Sequence, residues 1–284
     1  MPEAPEVEIT ARLIGEVITG ARVNAVAVPG INALKSFDPP PAALVGATLG
    51  PLRRRGKLFL LDAGDDLTAV IHLMSAGRLQ LHDRPAAPRD RTSRVLIGLE
   101  DGRQLRLREF GTRQRAWIKL LPRDALAGDE TLASLGPEAW PDPPATAELQ
   151  ARLKEPRPLH ALLRDQHVLA GIGRSWVDEI LWSAGLSPFK RGSDLDPETV
   201  ARLREAITDR LGGAVAHYAA ILALPLPEKL GMPLEVHRRH GEPCPRCGTV
   251  IEAVHYEEYV MCYCPRCQTD GRVLKDRRLS RLLK

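Results

Sequence analysis

The period of apolar positions changes along this chain, and each change predicts a different element. Residues 3–19 carry Val7, Ile14, Val17 and Ile18 at helical spacing with Gly20 beyond them, which predicts an amphipathic helix. From Arg22 to about Leu121 the period shortens. RVNAVAV, KLFLLD, LTAVIHL, RLQLH, RVLIGLE and RQLRLRE alternate or run fully apolar over strand lengths. Asp101-Gly102, between the last two, is a tight-hairpin dipeptide. One helix followed by many short strands predicts a two-layer β-sandwich or barrel-like domain. Proline then interrupts the pattern: GPEAWPDPPATAE, residues 136–148, holds four prolines and reads as a linker. Helical periodicity follows over 145–154, 158–166, 174–185 and 196–219. Asp194 or Asp196 offers an N-cap for the last of these, with Pro197 at its first position. Short strands surround the cysteines in 241–268, and the chain has no internal repeat or low-complexity tract.

This is an α+β pattern: an N-terminal helix and two-layer β-sandwich over 1–135, a linker over 136–148, a helical domain over 149–236 and a cysteine-rich module with a basic tail over 237–284. A length of 284 residues allows two domains with separate cores, and 44% hydrophobic content is that of a folded soluble protein. With four glutamates in the first twenty residues and no long apolar run, neither a secretory leader nor a membrane span is expected. A cytoplasmic protein is expected. Net charge is only +4, but basic residues cluster at Arg53-Arg54-Arg55 and from Lys275 to Lys284. Such clusters suit a phosphate-bearing partner, although a charge run is more often a solvated face.

The cysteines narrow the chemistry. All five lie between Cys244 and Cys267, a metal-site distribution for a reducing compartment rather than a disulfide framework. Cys244-Pro-Arg-Cys247 and Cys264-Pro-Arg-Cys267 are two CxxC knuckles separated by sixteen residues. That spacing lets a hairpin bring four thiolates to one structural zinc. A redox CxxC needs one motif and a thioredoxin-like βαβ context, which is absent here. Cys262 breaks the paired register and is a bystander.

Other motifs are weaker alone. Gly171-Ile172-Gly173-Arg174 opens an apolar helix, where glycines allow backbone N–H groups to approach a phosphate; a tight helix–helix turn is the commoner explanation. Lys57 starts a strand after Arg55-Gly56, as a phosphate clamp, an acid–base group or an edge-strand solubility charge. Pro2 and Glu3 follow the initiator methionine, which is expected to be trimmed from proline. The freed secondary amine would titrate near pH ~8, against ~10.4 for lysine. It is nucleophilic at neutral pH and able to form an iminium at a sugar's anomeric carbon, with Glu3 placed to donate a proton there. A Met-Pro start and an acidic first helical turn are by themselves commonplace.

Taken in order, Pro-Glu with PEVE, the helix, the β-rich domain with RGK, His72 opening HLMSAGRL, REFG, the linker, GIGR and CxxC-x16-CxxC resemble the formamidopyrimidine-DNA glycosylase/endonuclease VIII family over nearly the whole chain. The resemblance implies a bifunctional base-excision repair enzyme, a DNA glycosylase with AP-lyase activity acting on damaged double-stranded DNA as a monomer. It implies that Pro2 is the nucleophile, Glu3 the general acid of ring opening, and Lys57 the lysine that contacts phosphate and supports β-elimination. Glu6 matches a second acidic position, and the helices around Gly173 match the helix–two-turn–helix element. The four cysteines match the zinc finger whose hairpin grips the backbone.

Several positions depart from the family pattern. Arg174 stands where asparagine usually contacts a phosphate, and arginine still holds one. Tyr259 stands where the finger carries an arginine that aids binding and δ-elimination, so β-elimination is expected to dominate; Arg246, Arg266 and His255 are the candidates to compensate. Arg108-Glu109-Phe110-Gly111 replaces the usual Arg-Arg-Phe-Gly wedge. Phe110 keeps its intercalating role, while Glu109 would face the widowed base and favour one presenting a donor; Arg113 or Arg115 is the alternative. Ser75 takes the stack-filling methionine's place, with Met74 nearest to it. The segment LALPLPEKLGMPLEV lacks the glycine-rich loop of oxidised-purine recognition. The competing reading is a zinc-finger DNA-binding protein of the same fold with reduced catalysis. Tyr259 and Glu109 favour it, and Pro2, Glu3 and Lys57 together oppose it.

Overall fold

The computed structural model describes residues 2–86, 90–110, 113–257 and 259–274. Gly111 and the basic tail from Lys275 lie outside the described residues. The chain forms two compact units, Met1–Ser134 with Val215–Gly231, and Leu135–Ala214 with Met232–Lys284.

In the first unit α1 (Ala4–Ile18) precedes β1 (Val23–Ala27), β2 (Leu49–Arg55), β3 (Leu58–Ala63), β4 (Leu67–His72), β5 (Gly77–His82), β6 (Ser93–Leu99), β7 (Gln104–Glu109), β8 (Trp117–Pro122) and the single turn α2 (Glu130–Ala133). The strands form two antiparallel four-stranded sheets, ordered β1-β6-β7-β5 and β2-β3-β4-β8. Asp101-Gly102 turns β6 into β7 with Gly102 at φ +88°, a conformation that glycine adopts without a Cβ penalty. Phe59, Leu61, Ala69 and Ile71 of one sheet share a core with Leu79, Val95, Ile97, Leu105 and Leu107 of the other. Val7, Ile14 and Ile18 of α1 are fully buried in it, each side chain contributing about 1.5–3 kcal/mol of burial. Val17, expected on that face, is 39% exposed. It lies a 100° step of the helix from Ile18, off the buried stripe.

Two strands, β2 and β8, were not among the expected segments, and both are edge strands. Pro51 and three arginines are tolerated in β2 because an edge strand leaves one row of backbone groups unpaired. Only part of the arginine run is a solvated face, Arg53 being exposed. Arg54, with a nearly buried side chain, donates to Glu8 of α1 at 2.9 Å, and Arg53 pairs with Asp62 at 2.7 Å.

The second unit holds α3 (Thr146–Leu153), α4 (Leu159–Arg164), α5 (Trp176–Ser183), most of α6 (Pro197–Ile221), the hairpin β9 (Glu252–His255) and β10 (Val260–Tyr263), and the short α7 (Pro265–Gln268). Leu149, Leu153, Leu159, Leu162, Leu169, Val177, Ile180, Leu203, Ile207 and Leu211 are fully buried within it. Asp196 caps α6, its Oδ1 accepting the Thr199 N–H at 2.7 Å. The proline-rich stretch is docked rather than loose: the Gly136 N–H donates to Gln166 O, the Ala139 N–H donates to Ala170 O, and Ala139 is fully buried. Beyond Ala214, the remainder of α6 and residues up to Gly231 cluster with the first unit. There Leu226 is buried in the sandwich core, Gln80 donates to Leu226 O at 3.4 Å, and Arg78 donates to Glu228 O at 2.7 Å. Among the described residues no helix is long and apolar enough to cross a membrane.

Candidate active site and nucleic-acid interface

Pro2 is half-buried immediately before α1, whose N-cap is Glu3 in extended conformation. The Glu3 carboxylate accepts the Glu6 backbone N–H, and the Glu6 carboxylate accepts the Glu3 N–H at 2.9 Å. This reciprocal capping box satisfies two of the orphan donors at the helix start. The two carboxylates are 1% and 4% exposed, and the positive end of the helix dipole favours them there. Tyr218 completes the turn, donating its hydroxyl to Glu6 Oε1 at 2.7 Å. Burial, then the Glu6 and Glu3 charges, push the Tyr218 phenol far up, so it is a neutral donor at any working pH. Sequence reasoning missed Tyr218 because nothing in its local pattern points back across the chain.

Lys57 follows Gly56 in the β2–β3 turn and is buried, which excludes an edge-strand solubility charge. His72, paired in register with Leu58, stacks on Trp117 with centroids 5.7 Å apart. Burial and then the Lys57 charge lower its pKa to about 4. The Met74 N–H donates to His72 Nδ1 at 3.2 Å, so this neutral imidazole carries its proton on Nε2. Met74 has φ +49° and its Sδ lies against the same nitrogen. Ser75 is exposed beside it.

At the strand end Arg108 lies over the Phe110 ring at 4.7 Å and donates to Thr92 Oγ1 and Gln80 Oε1. Phe110 is 42% exposed, an apolar side chain presented to solvent. Glu109 overturns an expectation. It is 1% exposed, and its Oε2 accepts the Ala116 N–H at 2.8 Å. Strand alternation puts it on the face of Leu105 and Leu107, so its carboxylate does not present itself to a base.

In the second unit Gln166 staples the GIGR turn, accepting the Gly171 N–H at 3.0 Å and donating to Ile172 O at 2.8 Å. Gly171 sits at φ +108° and Gly173 is buried. Arg174, half-buried, comes within 5.2 Å of the Tyr259 ring. Tyr259 also stacks on Tyr256 at 4.5 Å and on His160 at 5.7 Å, while Arg164 lies over its ring at 4.3 Å. Of the expected compensating cations, Arg246 is committed elsewhere: it lies over Trp182 at 4.4 Å and donates to Trp182 O. Arg164 and His160 went unnoticed in the sequence, where only their spacing of four residues marks them as one helical face.

Behind this cluster Asp178, wholly buried, accepts the Cys262 N–H at 2.9 Å, lies 2.7 Å from His237 Nδ1 and sits 3.3 Å from His160 Nε2. Glu179 accepts three backbone N–H groups, those of Glu235, Val236 and His237. Together they tie α5 to the finger.

The Sγ atoms of Cys244, Cys247, Cys264 and Cys267 all lie within 4.8 Å of one another, with Cys247 at 3.5 Å from both Cys264 and Cys267. A tetrahedron of Zn–S bonds of about 2.3 Å has S···S edges of about 3.8 Å, so the donor set fits zinc. Hydrogen bonds from the Thr249 hydroxyl and backbone pull Cys247 down to about 6, whereas burial pushes Cys264 and Cys267 up. Trp182 Nε1–H donates to Cys244 Sγ at 3.4 Å. Cys262 lies outside the set; burial pushes its thiol up to about 11.

Residues 1–114 match the formamidopyrimidine-DNA glycosylase N-terminal domain, and residues 135–224 match the formamidopyrimidine-DNA glycosylase H2TH domain. The formamidopyrimidine-DNA glycosylase of Enterococcus faecalis is 32% identical over 291 residues, covering 99% of this chain and 100% of that protein. That of Geobacillus kaustophilus is 33% identical over 282 residues, covering 94% of this chain and 100% of its own. The Lactococcus lactis Fpg in complex with abasic-site DNA superposes with a TM-score of 0.84 at 25% identity, over 94% of this chain and 99% of that one. The same enzyme with N7-benzyl-Fapy-dG DNA gives a TM-score of 0.85 at 25% identity, over 94% and 100%. With two family domains matched in order and full-length relatives above 30% identity, this chain belongs to the formamidopyrimidine-DNA glycosylase family.

Proposed function

We propose that this chain is a base-excision repair DNA glycosylase with AP-lyase activity, acting as a monomer on damaged double-stranded DNA. The observation that carries the reading is Pro2 placed directly before the buried Glu3–Glu6 capping box, in a member of this family. Reaching the anomeric carbon of a stacked nucleotide requires its extrusion, at a cost of a few kcal/mol.

The Pro2 amine attacks C1′, and the bond from C1′ to the damaged base breaks as the base leaves with a proton. Glu3 protonates O4′ as the sugar ring opens, leaving an iminium between Pro2 and C1′. Removal of a C2′ proton then breaks the C3′–O bond and expels the 3′ phosphate; water hydrolyses the iminium and frees the amine. Tyr218 and Glu6 hold the turn that presents Glu3. Lys57 holds a phosphate, and His72, kept neutral beside it, adds no competing charge. Arg108 and Phe110 engage the duplex at the strand end, Met74 beside them, and Gly173 and Arg174 engage the backbone from the helical unit. Cys244, Cys247, Cys264 and Cys267 hold one zinc, which when bound ties the finger's two knuckles together.

Borohydride reduction with an abasic-site duplex tests the reading. Intact mass should show Pro2 as the first residue, and reduction should trap one covalent adduct; without reductant the cleaved strand on a gel should end mainly as β-elimination leaves it, since Tyr259 stands where an arginine would support a second step. Equal trapping by protein carrying an extra N-terminal residue would assign the chemistry to another amine.

A further inference from the structure

Tyr259 has no charge of its own, yet cations gather around it. Arg164 and Arg174 bring guanidinium carbons within 4.3 and 5.2 Å of its ring, with Tyr256 and His160 stacked on it nearly in parallel, at 10° and 12°. His160 and Arg164 lie one turn apart on α4, and His160 is backed by buried Asp178 at 3.3 Å. The ring therefore has two stacked aromatic neighbours and two guanidinium groups packed around it.

A guanidinium over an aromatic face spends its π surface on the ring. Its N–H donors, which lie in the guanidinium plane, stay directed at acceptors beyond the ring's edge. Arg164 Nη1 is such a donor: it has no hydrogen-bond partner among the described residues although it is shielded from solvent. A buried N–H without an acceptor is costly, and bringing a second like charge to the same ring adds to that cost. An anion with several oxygens offsets both, and planar guanidinium donors match a phosphodiester in bidentate fashion.

We propose that Arg164 is a phosphodiester ligand of the DNA interface and that Tyr259 is the residue that positions it. This rests on the glycosylase reading above. The finger, with Tyr259 rather than an arginine at this position, then carries an aromatic platform, and α4 supplies the charge. Tyr259 acts through the arginines rather than by touching the reacting atoms.

The test is equilibrium binding to a duplex carrying an uncleavable tetrahydrofuran abasic analogue, over a series of salt concentrations. Arg164→Ala should flatten the slope of log K against log salt by about 0.9, the loss of one phosphate contact. It should raise KM for a cleavable duplex with kcat little changed, as expected when ground state and transition state lose the same contact. Arg164→Gln, which keeps the size and removes the charge, should give the same slope and covers the case in which the alanine variant fails to fold. Tyr259→Ala, which removes no charge, should also flatten the slope, and Tyr259→Phe should restore it. An unchanged slope in both Arg164 variants, or a full slope in a folded Tyr259→Ala protein that retains its zinc, overturns the proposal. If the wild type still forms its borohydride adduct in that case, only the clamp fails. A wild type that neither binds nor traps overturns the clamp and the glycosylase reading together.

Discussion

Leu105, Leu107 and Glu109 occupy one face of β7, and the carboxylate at the end of that row accepts the Ala116 N–H. Its job is to close the strand end. Glu109→Ala leaves that buried N–H without an acceptor and should cost about 1–3 kcal/mol. Thermal denaturation reads the loss, and a panel of lesion duplexes should show the opposite-base preference unchanged. The alternation in RQLRLRE already carries this information; matching the four residues to a family wedge does not. His72 offers a second prediction. Its folded pKa of about 4 lies below the ordinary 6.5, so between those values the unfolded chain binds the extra proton. Above pH 6.5 both states are neutral and the group contributes no pH dependence. As pH falls through the window stability drops, by roughly 3 kcal/mol at its lower end. His72→Asn should remove that part of the acid limb in a series of denaturant midpoints against pH. Neither the depressed pKa nor its cause is legible in HLMSAGRL, because both come from burial in the folded sheet and from Lys57 in the β2–β3 turn.

Elements followed their periodicity closely. The helices over 146–153, 159–164, 176–183 and 197–221 fall within about two residues of expectation at their termini, since buried stripes and caps are local signals. The edge strands β2 and β8 escaped because an edge is defined by the neighbour a strand lacks, which no local pattern records. The knuckles were fully legible, their spacing being itself the constraint. Elemental analysis should find one zinc per chain, kept in Cys262→Ser and lost in Cys247→Ser, with loss accompanied by faster proteolysis around β9 and β10. Zinc retained in the Cys247 variant would mean another ligand completes the set. The cluster around Tyr259 was hidden for the opposite reason. Its members come from α4, the GIGR turn and the finger, and proximity between them is a product of tertiary packing.

Over the whole molecule, the units do not follow the proline-rich boundary alone. The chain leaves the first unit after Ser134, and rejoins it at Val215 for a stretch that ends at Gly231. That return delivers three things to the sandwich: the Tyr218 hydroxyl on Glu6, the Leu226 side chain in the core, and carbonyls that accept from Arg78 and Gln80. The modest net charge of +4 is compatible with a duplex partner because the basic residues are grouped rather than spread.

Tyr218 also sets an order of events during synthesis. Pro2 and Glu6 are made early, whereas the hydroxyl that fixes Glu6 belongs to a residue made much later. At about 5–20 residues per second that interval is roughly 10–40 s. For that time the nascent chain carries Pro2 ahead of a helix whose second carboxylate still lacks its phenol donor, over a core still missing Leu226. Completion of the Glu3–Glu6 turn is thus coupled to completion of most of the polypeptide, so a truncated product carries Pro2 without the phenol that fixes Glu6 in the finished turn.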